Sequence, residues 1–256
     1  STGTGITLTG TGNNVTMTLT TLTTNGATNG VALTNTAGTV TINGGTQTGS
    51  TGSAFNINGG TVSLTYSGGI TQAANAPMVS VSGGHATGTI TFNTGSLSAT
   101  NGTGFQFNNA DGTYNFNGTT TMNGGDAGID LSNGCGGTFS FPAGISITNP
   151  TNEVISILNS TANFTYGGGF TKNNNNVSGI TISGNTGGTI AINGSGTKTL
   201  STGTCNAVNL TTNTGTTINF SNNNLVLTTT SGTGFNATGG GTISVTGTGN
   251  TITSVG

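Results

Sequence analysis

The chain has 256 residues, a formal charge of −2 and only 2 % charged side chains, and Gly (49), Thr (60), Asn (36) and Ser (22) make up most of it. Two lysines and no arginine cannot neutralise a phosphate backbone, which excludes nucleic-acid binding. No apolar run approaches the ~20 residues of a membrane span, and the Gly residues lack the period of three that collagen needs.

Low-complexity tracts of this kind often stay disordered, but here the apolar residues are ordered along the chain. They fall in pairs at i, i+2, which places two side chains on one face of a strand. Rung 1 carries Ile6/Leu8 and Val15/Met17. Rung 2 carries Val31/Leu33 and Val40/Ile42, and rung 3 Phe55/Ile57 and Val62/Leu64. Rungs 4 and 5 carry Val79/Val81 with Ile90/Phe92, then Phe105/Phe107 with Tyr114/Phe116. Rungs 6 and 7 carry Ile129/Leu131 with Phe139/Phe141, then Ile155/Ile157 with Phe164/Tyr166. Rungs 8 to 10 carry Ile180/Ile182 with Ile190/Ile192, Val208/Leu210 with Ile218/Phe220, and Phe235/Ala237 with Ile243/Val245. The first pair recurs every 24 to 28 residues. A weaker third set includes Ile70, Leu97, Met122, Ile145/Ile147, Phe170, Leu200, Leu225/Leu227 and Ile252, and "TQTGS" in rung 2 has no apolar residue there.

Gly and Asn between the pairs tolerate the positive φ of tight corners. A three-strand repeat of this length is too short for a propeller blade and fits a solenoid. The expected fold is all-β, a right-handed parallel β-helix of about ten three-strand rungs of ~25 residues. It forms one domain over 1–256, a rod roughly 48 Å long at ~4.8 Å per rung. Residues between the paired apolar ones, such as Thr7, Asn56, Ser80, Gln106 and Asp130, then face outward. Phe92, Phe116, Phe141 and Tyr166 stack inward as core.

Few residues offer chemistry. Cys135 and Cys205 are three rungs apart, beyond the ~7 Å Cα separation of a disulfide. Burial or a contact between chains is expected of them instead. Asp111, Asp126, Asp130 and Glu153 read as solvated acids without a calcium repeat motif or a glycosidase pair. His85 reads as a polar corner residue, and Lys172 and Lys198 as solvated. No catalytic residue, metal or cofactor is expected. The ten N-x-S/T sequons are no more frequent than the composition alone produces.

Neither end shows a polar cap, which solenoids use against edge pairing. "TITSVG" followed by "STGTGITLTG" imitates the internal junction "LTTTSGTGFNATG". An end-to-end interface is therefore expected at Ile6, Leu8, Val15, Met17, Phe235, Ile243, Val245 and Ile252. It would be formed by head-to-tail copies or by continuation of a longer solenoid.

The phrases "GVALTNTAGTVTINGGTQTGSTGSAFNINGG" and "GTGFNATGGGTISVTGTGNTITS" resemble repeats of very large bacterial surface and secreted proteins of the autotransporter-passenger and filamentous-haemagglutinin type. The resemblance implies a non-enzymatic structural rod, extracellular or at the cell surface, with an adhesive role toward a surface or glycan open to it. The competing expectation is an ice-binding solenoid. Its Thr ladder would use third-strand residues Thr71, Ser96/Ser98, Thr119/Thr121, Ser146/Thr148, Thr171, Thr197/Thr199, Thr228 and Thr251/Thr253.

Overall fold

A computed structural model describes residues 3–10, 14–173 and 176–255. These residues form a β-solenoid with no helix, in which parallel strands stack into three sheets. Rung 1 consists of Ile6–Thr9, Asn14–Leu19 and Thr24–Asn25, and rung 10 of Phe235–Thr238, Thr242–Val245 and Thr251–Ser254. In rung 2 a single strand, Val31–Ile42, turns the corner and belongs to both the first and the second sheet.

The first sheet keeps one register throughout. Ile6 pairs with Val31, Val31 with Phe55, and so on through Val79, Phe105, Ile129, Ile155, Ile180 and Val208 to Phe235. The residue after each, from Thr7 to Asn236, forms the outward column of the same sheet. This alternation is the strand period of two, and slipping it by one residue would turn the apolar column to water. From Val31 to Val208 the inward residues of this column are fully buried. Each such side chain contributes roughly 1.5–3 kcal/mol.

The second sheet carries the rings. Phe92 lies parallel to Phe116 with centroids 5.3 Å apart, and Phe116 to Phe141 at 4.6 Å. The parallel stack stops there: Tyr166 is in register with Phe141 but has its ring contact with Phe170 at 6.0 Å, and on the other side Tyr66 meets Phe92 edge-on at 5.9 Å. In rung 3 the strand is Ser63–Tyr66, with Leu64 and Tyr66 in register with Ile90 and Phe92. Val62 is buried just ahead of it. Tyr66 and Tyr166 each donate their hydroxyl to the carbonyl three residues on, Gly69 and Gly169, at 2.8 Å. Each phenol is thereby satisfied inside the core.

The third sheet, irregular in sequence, is continuous over ten strands. Its inward column runs Thr24, Gln47, Ile70, Leu97, Thr120, Ile145. It then drifts along the strands, so that Ile147, Phe170, Lys198 and Leu225 form one column and Lys172, Leu200, Leu227 and Ile252 another. Gln47, Gln72, Thr120, Lys172 and Lys198 occupy buried inward positions of this sheet. Gln47 donates to the Leu22 carbonyl at 2.7 Å and accepts the Thr24 hydroxyl at 2.6 Å. An amide can be buried when it is satisfied in this way.

Corners use the left-handed region. Asn35, Asn109, Asn133 and Asn159 all have φ near +50° at the turn from the first to the second sheet. At Gly188 (φ +77°) a Cβ would lie 2.1 Å from the Ala162 carbonyl oxygen, so both the dihedral and the space demand glycine.

Candidate functional site

Three of the four acids and one lysine converge where the third sheet turns into the first, ahead of rungs 6 and 7. Asp130 stands in the outward column between Gln106 and Ser156. Its Oδ2 accepts a hydrogen bond from Gln106 Nε2 at 2.6 Å. Burial pushes its carboxyl up to about 7; the Gln106 bond opposes this, and the nearby Asp126 and Glu153 charges add to it. Asp126 is also raised, by burial first and by Glu153, against a hydrogen bond from the Asn152 side chain and the charge of Lys172. Glu153 accepts the Thr181 hydroxyl at 3.1 Å.

Lys172 is fully buried, which corrects the expectation that it is solvated. Its Nζ donates to the Pro150 carbonyl at 3.1 Å and the Asn152 carbonyl at 2.6 Å. Burial lowers its ammonium to about 8 against the opposing pull of Glu153 and Asp126. Lys198 is likewise buried, donating to the Gly194 and Asn222 carbonyls, and burial lowers it without an acid partner. The physical reason is reach. A lysine at an inward position lays its methylenes in the core and carries its amine to the carbonyls of the next corner.

The acids also depart from expectation. Asp111 is exposed as expected, but Asp126, Asp130 and Glu153 are only partly exposed. Their convergence is legible only after a rung period is subtracted: Asp130 lies 24 residues from Gln106, and Asn152 lies 26 from Asp126. A carboxyl titrating near neutrality is what general acid catalysis uses. Among the described residues, however, no three His, Cys, Asp or Glu side chains form a metal-binding group. Neither the notch nor the groove described below borders this corner. The cluster joins rungs 5 to 8 by hydrogen bonds and charge.

His85, expected as a polar corner residue, does lie at the turn between the first and second sheets and is fully buried there. Its Nε2 lies 2.9 Å from the Val62 carbonyl and its Nδ1 2.8 Å from the Tyr114 hydroxyl. A carbonyl only accepts, so Nε2 carries the proton and Tyr114 donates to Nδ1. The Tyr114 oxygen in turn accepts the Gly112 N–H at 3.0 Å. Burial holds His85 below its ordinary value, against the Val62 bond and the Asp111 charge. Asp111 is its register neighbour's partner, since Ala86 pairs with Asp111 one rung on. Cys135 is buried one rung further and accepts the Ala110 N–H at 3.4 Å. Burial raises its thiol. Cys205 is partly exposed in a different corner, its thiol 3.0 Å from the Asn176 carbonyl, and both cysteines are free.

The outer face of the third sheet bears hydroxyls in register. Thr48, Thr71, Ser98, Thr121 and Ser146 form one straight rank over five rungs. Gly169 interrupts it, and a second rank of Thr148, Thr171 and Thr199 continues two residues along until Val226. The interruption leaves a notch of about 160 Å³ lined by Ser146, Thr148, Gly169, Thr171 and Thr197.

The ends differ from the middle. Ile6, Leu8, Val15, Met17, Phe235 and Ile243 are partly buried, whereas Val245 is 42 % and Ile252 60 % exposed. An apolar groove of about 300 Å³ opens at rung 10, lined by Leu225, Leu227, Phe235, Val245 and Ile252 with Asn250 and Thr251. No family model, no curated protein and no solved structure matches the chain.

Proposed function

We propose that the chain is a structural β-solenoid subunit or segment of an extracellular filament or surface appendage. The observation that carries this reading is the unbroken register of one inward column from Ile6 to Phe235 over ten coils, inaccessible from Val31 to Val208. A stack in which each coil is held by its two neighbours is stable as a rod rather than as a compact globule. The scarcity of charge supports the same reading, as does the resemblance to bacterial surface repeats. Burial of both lysines also removes the only trypsin sites from solvent. Function then resides in length, stiffness, resistance to proteolysis and adhesive contacts of the outer faces.

Electron microscopy of the native material, together with its intact mass, tests this. Straight rods at least ten rungs long, released by surface shaving of the producing cells, are expected. Compact particles confined to the cell interior would overturn the reading.

A second reading, ice binding, is favoured by the straight rank from Thr48 to Ser146. Its hydroxyls repeat in register at the ~4.8 Å rung spacing. Gly169 ends this rank after five rungs. Thermal hysteresis in a dilute solution decides it, and a freezing point equal to the melting point removes it.

A further inference from the structure

We infer that His85 is an acid-released latch: its protonation frees the corner of residues 83–89 from the coils on either side, while the rest of the solenoid stays paired. The latch is independent of the rod reading.

The imidazole ties three coils together. Nε2–H donates to the Val62 carbonyl of rung 3, and Nδ1 accepts the Tyr114 hydroxyl of rung 5. The ring fills a space that glycine keeps open on two coils. A Cβ at Gly88 would lie 2.8 Å from Nε2, and one at Gly112 2.9 Å from Cε1. The chain of bonds has one direction. The Tyr114 oxygen already accepts the Gly112 N–H at 3.0 Å. A second proton on the ring makes Nδ1 a donor, so the Tyr114 hydrogen must turn to the His85 carbonyl, 3.3 Å away. That is beyond the ordinary ~2.5–3.0 Å of an O–H···O bond.

The imidazolium would also be buried without an ion pair. The titratable groups around the ring are Tyr114 and Asp111 of rung 5 and Cys135 of rung 6, and rung 3 presents the Val62 carbonyl. Burial raises Tyr114 and Cys135, so both stay neutral in acid. Asp111 is exposed, and its Oδ1 accepts the Gly136 N–H at 2.7 Å. A cation held in the core while its nearest carboxylate stands in water is better placed outside.

The corner holds the slack for that movement. From the first-sheet column to the second, rung 4 uses eleven residues, Val79 to Ile90, where rungs 3 and 5 use nine, Phe55 to Leu64 and Phe105 to Tyr114. The extra length appears as a register shift between Ala86 and Thr89. Gly83, Gly84 and Thr87 all have positive φ, Thr87 at +58°. Releasing His85 and Ala86 leaves Val79–Ser82 and Thr89–Phe92 on their ladders.

Hydrogen exchange of the full chain, followed amide by amide by NMR with the intrinsic rate divided out, tests this. Gly84 N–H donates to the Asn109 carbonyl and Gly112 N–H to the Tyr114 oxygen, so both report on the corner. Asn163 N–H, bonded to the Gly137 carbonyl in rung 7, is the reference. Below pH 6.5, the ordinary histidine value, opening at Gly84 and Gly112 should rise by up to about tenfold per pH unit as one proton is taken up, with Asn163 unchanged. The sign separates this corner from Asp130, whose proton uptake in the folded chain favours closure as pH falls. His85→Gln keeps a donor for Val62 and an acceptor for Tyr114 but does not protonate, and it should abolish the rise. If that variant does not fold, the wild-type chain still decides, because its one histidine gives an unambiguous imidazole nitrogen titration. The proton is expected on Nε2 and the midpoint below 6.5. Protection at Gly84 and Gly112 that does not change from pH 7.5 to 5 overturns the latch. So does a rise that persists in His85→Gln, or a native histidine that titrates at 6.5 or above.

Discussion

Individual residues record where this fold is strained or poised. Thr87 is exposed and held at φ +58°, a region costly for a β-branched side chain. Thr87→Asn is expected to raise stability by about 1 kcal/mol, measured as a higher denaturation midpoint. Thr120 buries a hydroxyl that has no hydrogen-bond partner among the described residues. Thr120→Val keeps its shape and should also stabilise, by roughly 1 kcal/mol. Two residues set opposite pH slopes. His85 is held below 6.5 in the fold, so the unfolded chain binds the extra proton. Its contribution is complete above pH 6.5 and is lost as pH falls toward the folded value. Asp130 is raised from 3.8 to about 7, so the folded chain binds the extra proton and stability falls as pH rises through that window. Asp130→Asn retains an acceptor for Gln106 and removes this slope. It should stabilise the protein at pH 8 by on the order of 2 kcal/mol, allowing for screening at a partly exposed site, and have little effect at pH 4. Equal effects at both pH values would contradict the assignment.

At the scale of the strand and the sheet, position along the rod decides what a side chain is worth. Phe116 lies between two parallel rings in a closed core, whereas Phe235 is partly exposed at the last rung. Phe116→Ala should cost ~3–5 kcal/mol and Phe235→Ala clearly less, by chemical denaturation. The third sheet makes a separate prediction. Because Lys172 and Lys198 carry their amines to corner carbonyls, an amine-acetylating reagent should modify them only after denaturation, as read by peptide mass. Rapid native labelling of either would place that amine in solvent. The same sheet shows why one face of the prism was hard to read in advance. Gln47, Gln72, Thr120, Lys172 and Lys198 are residue types that a period-two pattern assigns outward. The two glutamines and two lysines turn inward because the adjacent corner offers carbonyls to satisfy an amide or an amine.

Over the whole molecule, stability in a solenoid is close to a sum of rung and neighbour terms. Rung 10 has a neighbour on one side only, and its inward residues are the most accessible. Amides of Phe235–Thr238 and Thr242–Val245 should therefore exchange with deuterium well before those of rungs 4 to 7. Uniform protection along the chain in dilute solution would contradict this gradient. The candidate site belongs to this scale as well. Asp126, Asp130, Glu153 and Lys172 are separated by up to 46 residues in the chain and meet only because successive coils bring one corner into register.

The amino-acid order by itself determined the coil length, two of the three sheets and the inward ring stack. These depend on local alternation and on Gly and Asn at corners, which act within a few residues. The third sheet, the burial of both lysines and of His85, the gathering of the acids and the drift in register were decided by tertiary structure. Each depends on which carbonyl or carboxylate a neighbouring coil presents about 25 residues away, and only stacking of the coils settles that.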